Sequence, residues 1–173
     1  WVTDGTGGGT RRVADINPFG HAFGFFTFFF SFATVDRTIY FAADDGQLGI
    51  ELWRSDGSEP GTVMVGDLNA GPESSFPSFL APSSGGTCIF QACTADLGCE
   101  AWESDGTAAG TSFVSRLNTG PVFPEFWELT ALNGTTLLFI ARTGRLEYGL
   151  YRSDGTAAGT RFVADFSYPR DPG

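Results

Sequence analysis

The chain has 173 residues, a length typical of one domain with a single packed core. Apolar residues make up 42% of the chain and charged residues only 17%, which excludes a charge-rich disordered tail and a coiled coil. Ten arginines, no lysine and twenty acidic residues give a net charge of −10, so the basic surface that nucleic acid requires is missing. The single histidine excludes a multi-histidine metal site.

Aromatic residues and glycine dominate the composition. There are 18 Phe, four Trp, four Tyr and 24 Gly, a mixture that favours strands and turns over helices. The longest apolar run, residues 19–32, is interrupted by small and polar residues and is shorter than the ~20 residues of a spanning helix. Because the sequence begins at Trp1 without a targeting segment, we expect a processed chain or a fragment of a longer protein.

An internal repeat organises the sequence. Residues 52–62 recur with few changes at 101–111 and at 150–160, and residues 1–10 are a looser copy. Each copy has an aromatic residue as its first or second residue. These residues are spaced 52, 49 and 49 positions apart, and they are Trp1, Trp53, Trp102 and Tyr151. A fixed period of this length is typical of repeat architectures.

Each period predicts four short strands. In the clearest period they cover residues 79–82, 87–92, 98–103 and 111–117, with turn-forming residues between them. The second strand of each period is apolar on both faces, which suits the middle of stacked sheets. A four-stranded antiparallel meander of about 49 residues matches a β-propeller blade, so we predict an all-β protein built from propeller blades.

The repeat also predicts the domain boundaries. They are a half blade at 1–15 with the third and fourth strands, blade 1 at 16–68 with a Phe-rich insertion, blade 2 at 69–117, blade 3 at 118–166, and a tail at 167–173. Propellers close with about four to eight blades. Three and a half blades therefore require a longer polypeptide, a protein partner, or a second copy of the chain, which would give seven blades.

The repeat carries a family resemblance. The string Glu-Leu-Trp-Arg-Ser-Asp-Gly-Ser-Glu-Pro-Gly-Thr at 51–62, with its flanks at 40–46 and 71–77, resembles the ELW-x-x-DGT-x-x-GT repeats of bacterial secreted and cell-surface proteins. That resemblance implies propeller-like blades used mainly as scaffolds or interaction surfaces. The sequence departs from the pattern at Ala101 and Tyr151, and in the first full period, which is three residues longer.

One aspartate recurs in the turn that joins the third and fourth strands. In a Ser-Asp-Gly-Thr turn the carboxylate accepts a backbone N–H two residues on, glycine takes a positive φ and the threonine hydroxyl closes the turn. We therefore predict structural turns rather than calcium sites at Asp4, Asp56, Asp105 and Asp154. We predict no metal and no other cofactor. Calcium is left open, and Asp44 and Asp45 are its better candidates, against a solvated hairpin tip.

The Phe-rich segment is the least repeat-like part of the chain. A single strand cannot bury eight phenylalanines, so either a loop folds back over the blade or some rings meet a partner, as exposed apolar patches commonly do. We expect contact with a partner protein or a membrane surface through Phe19, Phe23, Phe25, Phe26, Phe28, Phe29, Phe30 and, outside the repeat, Trp127. His21 has no neighbouring nucleophile or acid that would make it a relay.

The repeated aromatics are predicted to pack between neighbouring blades. Their position inside the third strand favours Trp53, Trp102 and Tyr151 as packing residues over an exposed sugar platform. Trp127 is the better exposed aromatic.

The cysteines suggest a compartment. Cys93 and Cys99 would face each other in a hairpin, so a disulfide between them is one reading. The alternative prediction is that all three cysteines, Cys88 included, are buried free thiols. The spacing of the cysteines disfavours a metal site. A disulfide and the acidic composition favour the periplasm or the cell exterior.

These features favour a noncatalytic scaffold, an accessory subunit or part of a larger exported bacterial assembly. The alternative is a carbohydrate-active propeller hydrolase or lyase, with Glu125 and Glu128, or Asp44 and Asp45, as its carboxylate pair. A lectin that binds sugar at Trp127 is a third possibility.

Overall fold

The computed structural model describes residues 1–22, 31–115, 128–132, 136–142, 148–154 and 158–165. These residues form an all-β structure. The strands are β1 (Ala33–Val35), β2 (Thr38–Asp44), β3 (Ile50–Ser55), β4 (Val63–Gly66), β5 (Ser78–Pro82), β6 (Cys88–Thr94), β7 (Gly98–Ser104), β8 (Thr111–Ser115), β9 (Glu128–Leu132), β10 (Thr136–Arg142), β11 (Tyr148–Ser153) and β12 (Arg161–Asp165). A short 3-10 turn, Ser84–Gly86, joins β5 to β6.

The strands form three separate sheets of four. Sheet 1 contains β1–β4, sheet 2 contains β5–β8 and sheet 3 contains β9–β12, and in each sheet neighbours in sequence are neighbours in space. All pairings within the sheets are antiparallel. The prediction of repeated four-stranded meanders is confirmed.

Residues 1–15 form less structure than predicted. Instead of two strands, they contain one isolated antiparallel bridge, in which Val2 and Arg11 each donate a backbone N–H to the other's carbonyl at 2.9 Å. In the complete sheets the third strand also pairs with a second strand, and residues 1–15 contain no such strand, so only one bridge forms.

Apolar side chains fill the spaces between successive sheets. One buried cluster joins Tyr40, Leu52 and Val65 of sheet 1 to Cys88 and Phe90 of sheet 2. A second cluster joins sheet 2 to sheet 3, and its members include Ala81, Ile89, Ala101, Leu137 and Phe139. Strand β6, the second strand of sheet 2, is buried on both faces. Its Cys88 and Phe90 pack toward sheet 1, and its Ile89 packs toward sheet 3. This packing agrees with the doubly apolar pattern of the second strands.

Two of the repeated aromatics lie where the repeat predicts them. Trp102 packs against the cluster between sheets 1 and 2. Tyr151 packs against the next cluster and stacks on Phe139 with ring centroids 5.4 Å apart. Trp53 is partly buried, whereas Trp1 is largely exposed.

A register shift precedes the aromatic residue in every sheet. It falls between Leu52 and Trp53 in sheet 1, and at the equivalent 101/102 and 150/151 positions of the other sheets. A β-bulge redirects a side chain and increases local twist. The conformation that positions the aromatic rings is therefore part of the repeat.

Successive connections of a meander alternate between two ends of the sheet. We call one end the loop face; it carries the β2–β3 and β6–β7 hairpin tips (residues 45–49 and 95–97) and the connecting segments 16–22 and 67–77. The turn face, at the other end, carries the aspartate turns 4–9, 56–61 and 105–110. In the parts of the chain described, we find no helix long and apolar enough to cross a membrane.

Candidate interaction surface

The loop face displays exposed phenylalanines. Phe19 lies in segment 16–22 and is 85% exposed, and Phe76 lies in segment 67–77 and is about half exposed. Phe32 is also exposed and immediately precedes β1, which starts at this face. Phe76 has a φ of 49°, a left-handed conformation that is rare for a bulky residue. Large apolar side chains displayed in this way on connecting segments are typical of contact surfaces.

A buried carboxylate fixes the segment that carries Phe76. Glu51 in β3 is fully buried and accepts the Ser75 hydroxyl at 2.6 Å and the Ser75 N–H at 2.9 Å. It also accepts the N–H of Leu68 at 3.1 Å. Burial raises the pKa of the Glu51 carboxyl, while these hydrogen bonds favour the carboxylate and lower it. One side chain thus holds both ends of the connection after sheet 1.

The same segment is bonded to sheet 2. The carbonyl of Ser75 accepts the N–H of Cys93 at 2.7 Å. The side chain of Asn69 joins the segment to the β6–β7 hairpin of sheet 2. Its Oδ1 accepts the N–H of Ala95 at 3.0 Å, and its Nδ2 donates to the carbonyl of Ser74 at 3.2 Å. We call this set of bonds the inter-sheet latch. It holds the Phe76 segment to both sheets at once.

One backbone bond of the latch has a counterpart ahead of sheet 1. Asp44, 49 residues before Cys93, donates its N–H to the carbonyl of Ala22 at 2.8 Å. Asn17, in the sequence place of Asn69, accepts the N–H of Phe19 at 3.1 Å and lies close to Gly46. The segment that carries Phe19 is therefore bonded to sheet 1, but through fewer contacts than the segment that carries Phe76.

A disulfide closes the hairpin that the latch grips. Cys93 and Cys99 are paired directly across β6 and β7, and their sulfurs are bonded. Cys88 is a free, buried thiol, and burial raises its pKa to about 12. The prediction of a disulfide is confirmed, and the alternative of three buried free thiols is wrong.

Asp44 and Asp45 serve as turn caps. Asp44 Oδ1 accepts the N–H of Gly46 at 2.7 Å, and Asp45 Oδ1 accepts the N–H groups of Gln47 and Leu48, each at 2.8 Å. Among the described residues there is no group of three or more His, Cys, Asp or Glu side chains placed to hold a metal ion. The hydrogen bonds account for both carboxylates as parts of a hairpin tip.

The aspartate turns of the turn face have the bonds that the repeat predicts. Asp56 Oδ1 accepts the N–H of Ser58 at 2.9 Å and its hydroxyl at 2.6 Å. Asp4 and Asp105 bind the threonine two residues on in the same manner. These bonds lower the pKa of all three carboxyls, with the side-chain hydroxyl as the largest cause.

A second glycine in each turn makes room for the aspartate. A Cβ at Gly61 would overlap the carboxylate of Asp56, and the same is true of Gly159 and Asp154. This explains why the repeat keeps a glycine five residues after the aspartate, before its final threonine.

Several predicted contact residues lie outside the described residues. They are Phe23, Phe25, Phe26, Phe28, Phe29, Phe30 and Trp127, together with Glu125 of the hydrolase alternative. Glu128, the other member of that pair, begins β9. The flanks of the Phe-rich segment are described: Ala22 accepts from Asp44, and the hydroxyl of Ser31 accepts the N–H of Leu80 at 2.7 Å.

The latch residues were missed in the sequence. The repeat string contains Glu51 without indicating a contact for it, and the sequence pattern assigns no role to Asn69 or Ser75. A signal was present, because Asp-Ile-Asn at 15–17 and Asp-Leu-Asn at 67–69 recur one period apart. A polar residue repeated after the fourth strand indicates a contact that each sheet must make with the next.

Comparisons with known proteins give a fold and no family. No protein-family model matches the sequence, and no curated protein matches it. A crystal structure of puromycin hydrolase resembles this chain with a TM-score of 0.53 and 18% identity over 83% of this chain and 21% of that one. A puromycin hydrolase mutant complexed with PGG gives a TM-score of 0.50 and 18% identity over 78% of this chain and 20% of that one. The chain spans about a fifth of the length of these proteins and shares a fold with that part of them.

Proposed function

We propose that this chain is a noncatalytic β-propeller segment, three and a half blades long, that serves as a rigid scaffold for protein–protein contact in an exported bacterial assembly. The exposed Phe19 and Phe76, on loop-face segments that are hydrogen-bonded to the sheets, carry this proposal. A ring held on a fixed backbone loses little conformational freedom when it binds, which makes it a good anchor for a partner.

Two carboxylates of the enzymatic alternative, Asp44 and Asp45, and the buried Glu51 favour a noncatalytic role. Asp44 and Asp45 are engaged as caps by backbone N–H groups, and Glu51 is buried beneath the latch. A glycosidase needs two carboxyls that flank a substrate, one of which gives up a proton. Carboxylates already committed to the backbone are poor candidates for that chemistry.

The disulfide supports an oxidising compartment. A Cys93–Cys99 bond persists outside the reducing cytosol, so the periplasm or the cell surface is the proposed location. The resemblance of the repeat to those of bacterial secreted proteins points the same way.

Position-specific crosslinking in the source cells tests the proposed contact. Phe19 is replaced by a photoreactive phenylalanine analogue, and Gln47, exposed at a hairpin tip of the same face, receives the same analogue as the control. We expect one identified protein to be crosslinked from position 19 and not from position 47. Crosslinking to lipid alone, or equal crosslinking from both positions, would contradict a protein contact through the phenylalanines.

A polysaccharide panel tests the enzymatic alternative. We expect no turnover by the purified chain. Turnover that is abolished in Glu125→Gln or in Asp44→Asn/Asp45→Asn would make the protein a carbohydrate-active enzyme, and sugar-dependent quenching of Trp127 fluorescence without turnover would make it a lectin.

A further inference from the structure

The loop face is continuous across sheets 1 and 2. The β2–β3 hairpin tip touches the connecting segment on either side of it, since Gly46 lies against the side chain of Asn17 and Gly49 lies against the carbonyl of Pro72. The latch then bonds the Pro72 segment to the β6–β7 hairpin tip. A partner therefore meets one connected surface rather than separate loops.

The arginine-free loop face is acidic. Its segments contain no arginine or lysine and four acidic residues, which are Asp45, Asp67, Glu73 and Asp96. The turn face is mixed in charge, because it also carries Arg37 in the β1–β2 turn and Arg54 near the end of β3. The two faces of the molecule therefore offer different charges to a partner.

The buried carboxylate of Glu51 brings one of these acidic residues next to Phe76. Glu51 accepts the N–H groups of Leu68 and Ser75, at 3.1 and 2.9 Å. Asp67 precedes Leu68 and Phe76 follows Ser75, so the two emerge side by side at the surface, and both are exposed.

Two further carboxylates flank the Phe76 segment. Glu73 lies in the segment itself, three residues before Phe76, and is exposed. Asp96, also exposed, follows Ala95, whose N–H is bonded to the segment at 3.0 Å. Carboxylates from the loops of both sheets thus lie around the same aromatic ring.

The backbone holds the Phe76 ring outward. Its neighbours Ser75 and Pro77 are buried, and Phe76 itself has a φ of 49°, which bulky residues rarely adopt. The segment is bonded to sheet 1 and to sheet 2, so the exposed ring lies within the stack and not at one of its ends. A ring fixed in this way is suited to be the anchor of a contact.

An exposed ring among carboxylates fits a cation. Arginine and lysine are attracted both to the face of an aromatic ring and to a carboxylate. Complementary charge across an interface also selects the partner and steers its approach. Anionic lipid headgroups would be repelled by this face, so a membrane surface fits it poorly.

We propose that the loop face binds a protein segment in which arginine or lysine stands beside apolar side chains, with Phe76 as the anchor of the contact. The apolar side chains cover the ring, and the cations pair with the carboxylates around it. This inference rests on the proposed scaffold function and specifies the chemistry of its partner.

Fluorescence anisotropy with synthetic peptides tests that chemistry on the full chain. The probe is a short labelled peptide of alternating arginine and leucine. One comparison peptide has glutamate in place of arginine, and the other has serine in place of leucine. We expect the probe to bind most tightly, and its affinity to fall with added salt, because the screening length shrinks from about 10 Å at 0.1 M to about 3 Å at 1 M. Equally tight binding of either comparison peptide would overturn the proposal.

A matched pair of variants tests the anchor. Phe76→Asn removes the ring and introduces a residue type that tolerates a positive φ. It should weaken probe binding by at least about tenfold, as expected for an anchor residue. Leu132→Asn removes an apolar side chain of similar exposure at the end of β9 and should leave the affinity unchanged. Equal affinities of the two variants would overturn the role of Phe76.

A second pair tests the charges. Glu73→Gln/Asp96→Asn should weaken probe binding by about fivefold, the usual scale for two exposed charges, and should flatten its dependence on salt. Asp36→Asn/Glu59→Gln makes the same change in net charge at exposed positions of the turn face. It should bind the probe like the wild type. Equal losses in both variants would mean that the overall charge of the chain, and not the loop face, attracts the peptide, and would overturn the proposal.

Crosslinking from position 76 in the source cells examines the natural partner. With a photoreactive phenylalanine analogue in place of Phe76, we expect the crosslinked segment of the captured protein to contain arginine or lysine beside apolar residues. A neutral or acidic segment would overturn this inference and leave the scaffold function standing. Capture of lipid alone, or of no protein from either position 19 or position 76, would overturn the scaffold function and with it the partner proposed here.

Discussion

Ser75 donates both its hydroxyl and its backbone N–H to the buried carboxylate of Glu51, and its carbonyl accepts the N–H of Cys93 in the next sheet. Replacing Ser75 by alanine removes one hydrogen bond from a buried charge. We expect the free energy of unfolding to fall by about 2 kcal/mol, the usual range for bonds to charged groups. Urea unfolding measures this change, and Ser112→Ala, at an exposed position of β8, should change stability little. An equal loss in both variants would show that the Glu51 bond is not the cause.

Glu51 should make stability depend on pH. Burial raises the pKa of Glu51 in the folded state, so the folded protein binds a proton at Glu51 more tightly than the unfolded chain does. Its contribution is fully present below the unfolded value of about 4.5 and is lost as pH rises through the raised folded pKa. The free energy of unfolding is measured against pH for the wild type and for Glu51→Gln. The difference between the two curves isolates this decline. A difference that is flat, or that rises with pH, would contradict the stated direction.

Gly61 should tolerate alanine only if Asp56 is removed. A Cβ at position 61 would occupy the place of the Asp56 carboxylate, so Gly61→Ala should cost about 1–3 kcal/mol as an overpacked site. In the double variant Asp56→Ala/Gly61→Ala the clash is gone, and the loss should be smaller than the sum of the two single losses. Gly8→Ala is the matched control, because no atom lies near a Cβ there and φ is not positive. Additive losses would rule out the overlap as the cause.

The Cys93–Cys99 disulfide closes a short hairpin and should contribute about 2 kcal/mol in the chain-entropy model. We expect a lower Tm after reduction of the wild type, with no further effect of reductant on Cys93→Ser/Cys99→Ser. Sheet 1 has Asp44 and Ile50 at the equivalent pair and keeps the same hairpin, so the reduced protein should remain folded. Loss of the whole β signal in circular dichroism would instead make the bond essential for folding.

Cys88 should be unreactive in the native protein. Its thiol is buried and its pKa is raised to about 12, so little of the nucleophilic thiolate exists near neutral pH. Titration with a thiol reagent at pH 8 should detect no thiol in the oxidised native protein and one after unfolding. Rapid labelling of the native protein would show that the space between sheets 1 and 2 opens readily.

Periodicity alone is enough to predict the repeated four-stranded antiparallel sheets. The 49-residue spacing from Trp53 to Trp102 located the third strand of each sheet, and the doubly apolar strand around Phe90 indicated burial on both sides. These features depend on the alternation of side chains along a strand, which the sequence displays directly.

Features that depend on contacts between sheets were not predictable in the same way. The role of Glu51 comes from donors 17 and 24 residues away, which local propensity does not reveal. Phe79, predicted as an ordinary strand residue, has a φ of 53° at an irregular part of β5. There, packing against neighbouring sheets outweighs the usual strand geometry of a bulky residue.

The two anchored flanks of the Phe-rich segment have an engineering consequence. Ala22 is tied to β2 through Asp44, and Ser31 is tied to β5 through Leu80, so both flanks are bonded to strands of the framework. A peptide inserted between two bonded flanks has fixed entry and exit points. The interval between Ala22 and Ser31 is therefore a candidate position at which to graft foreign peptides and display them.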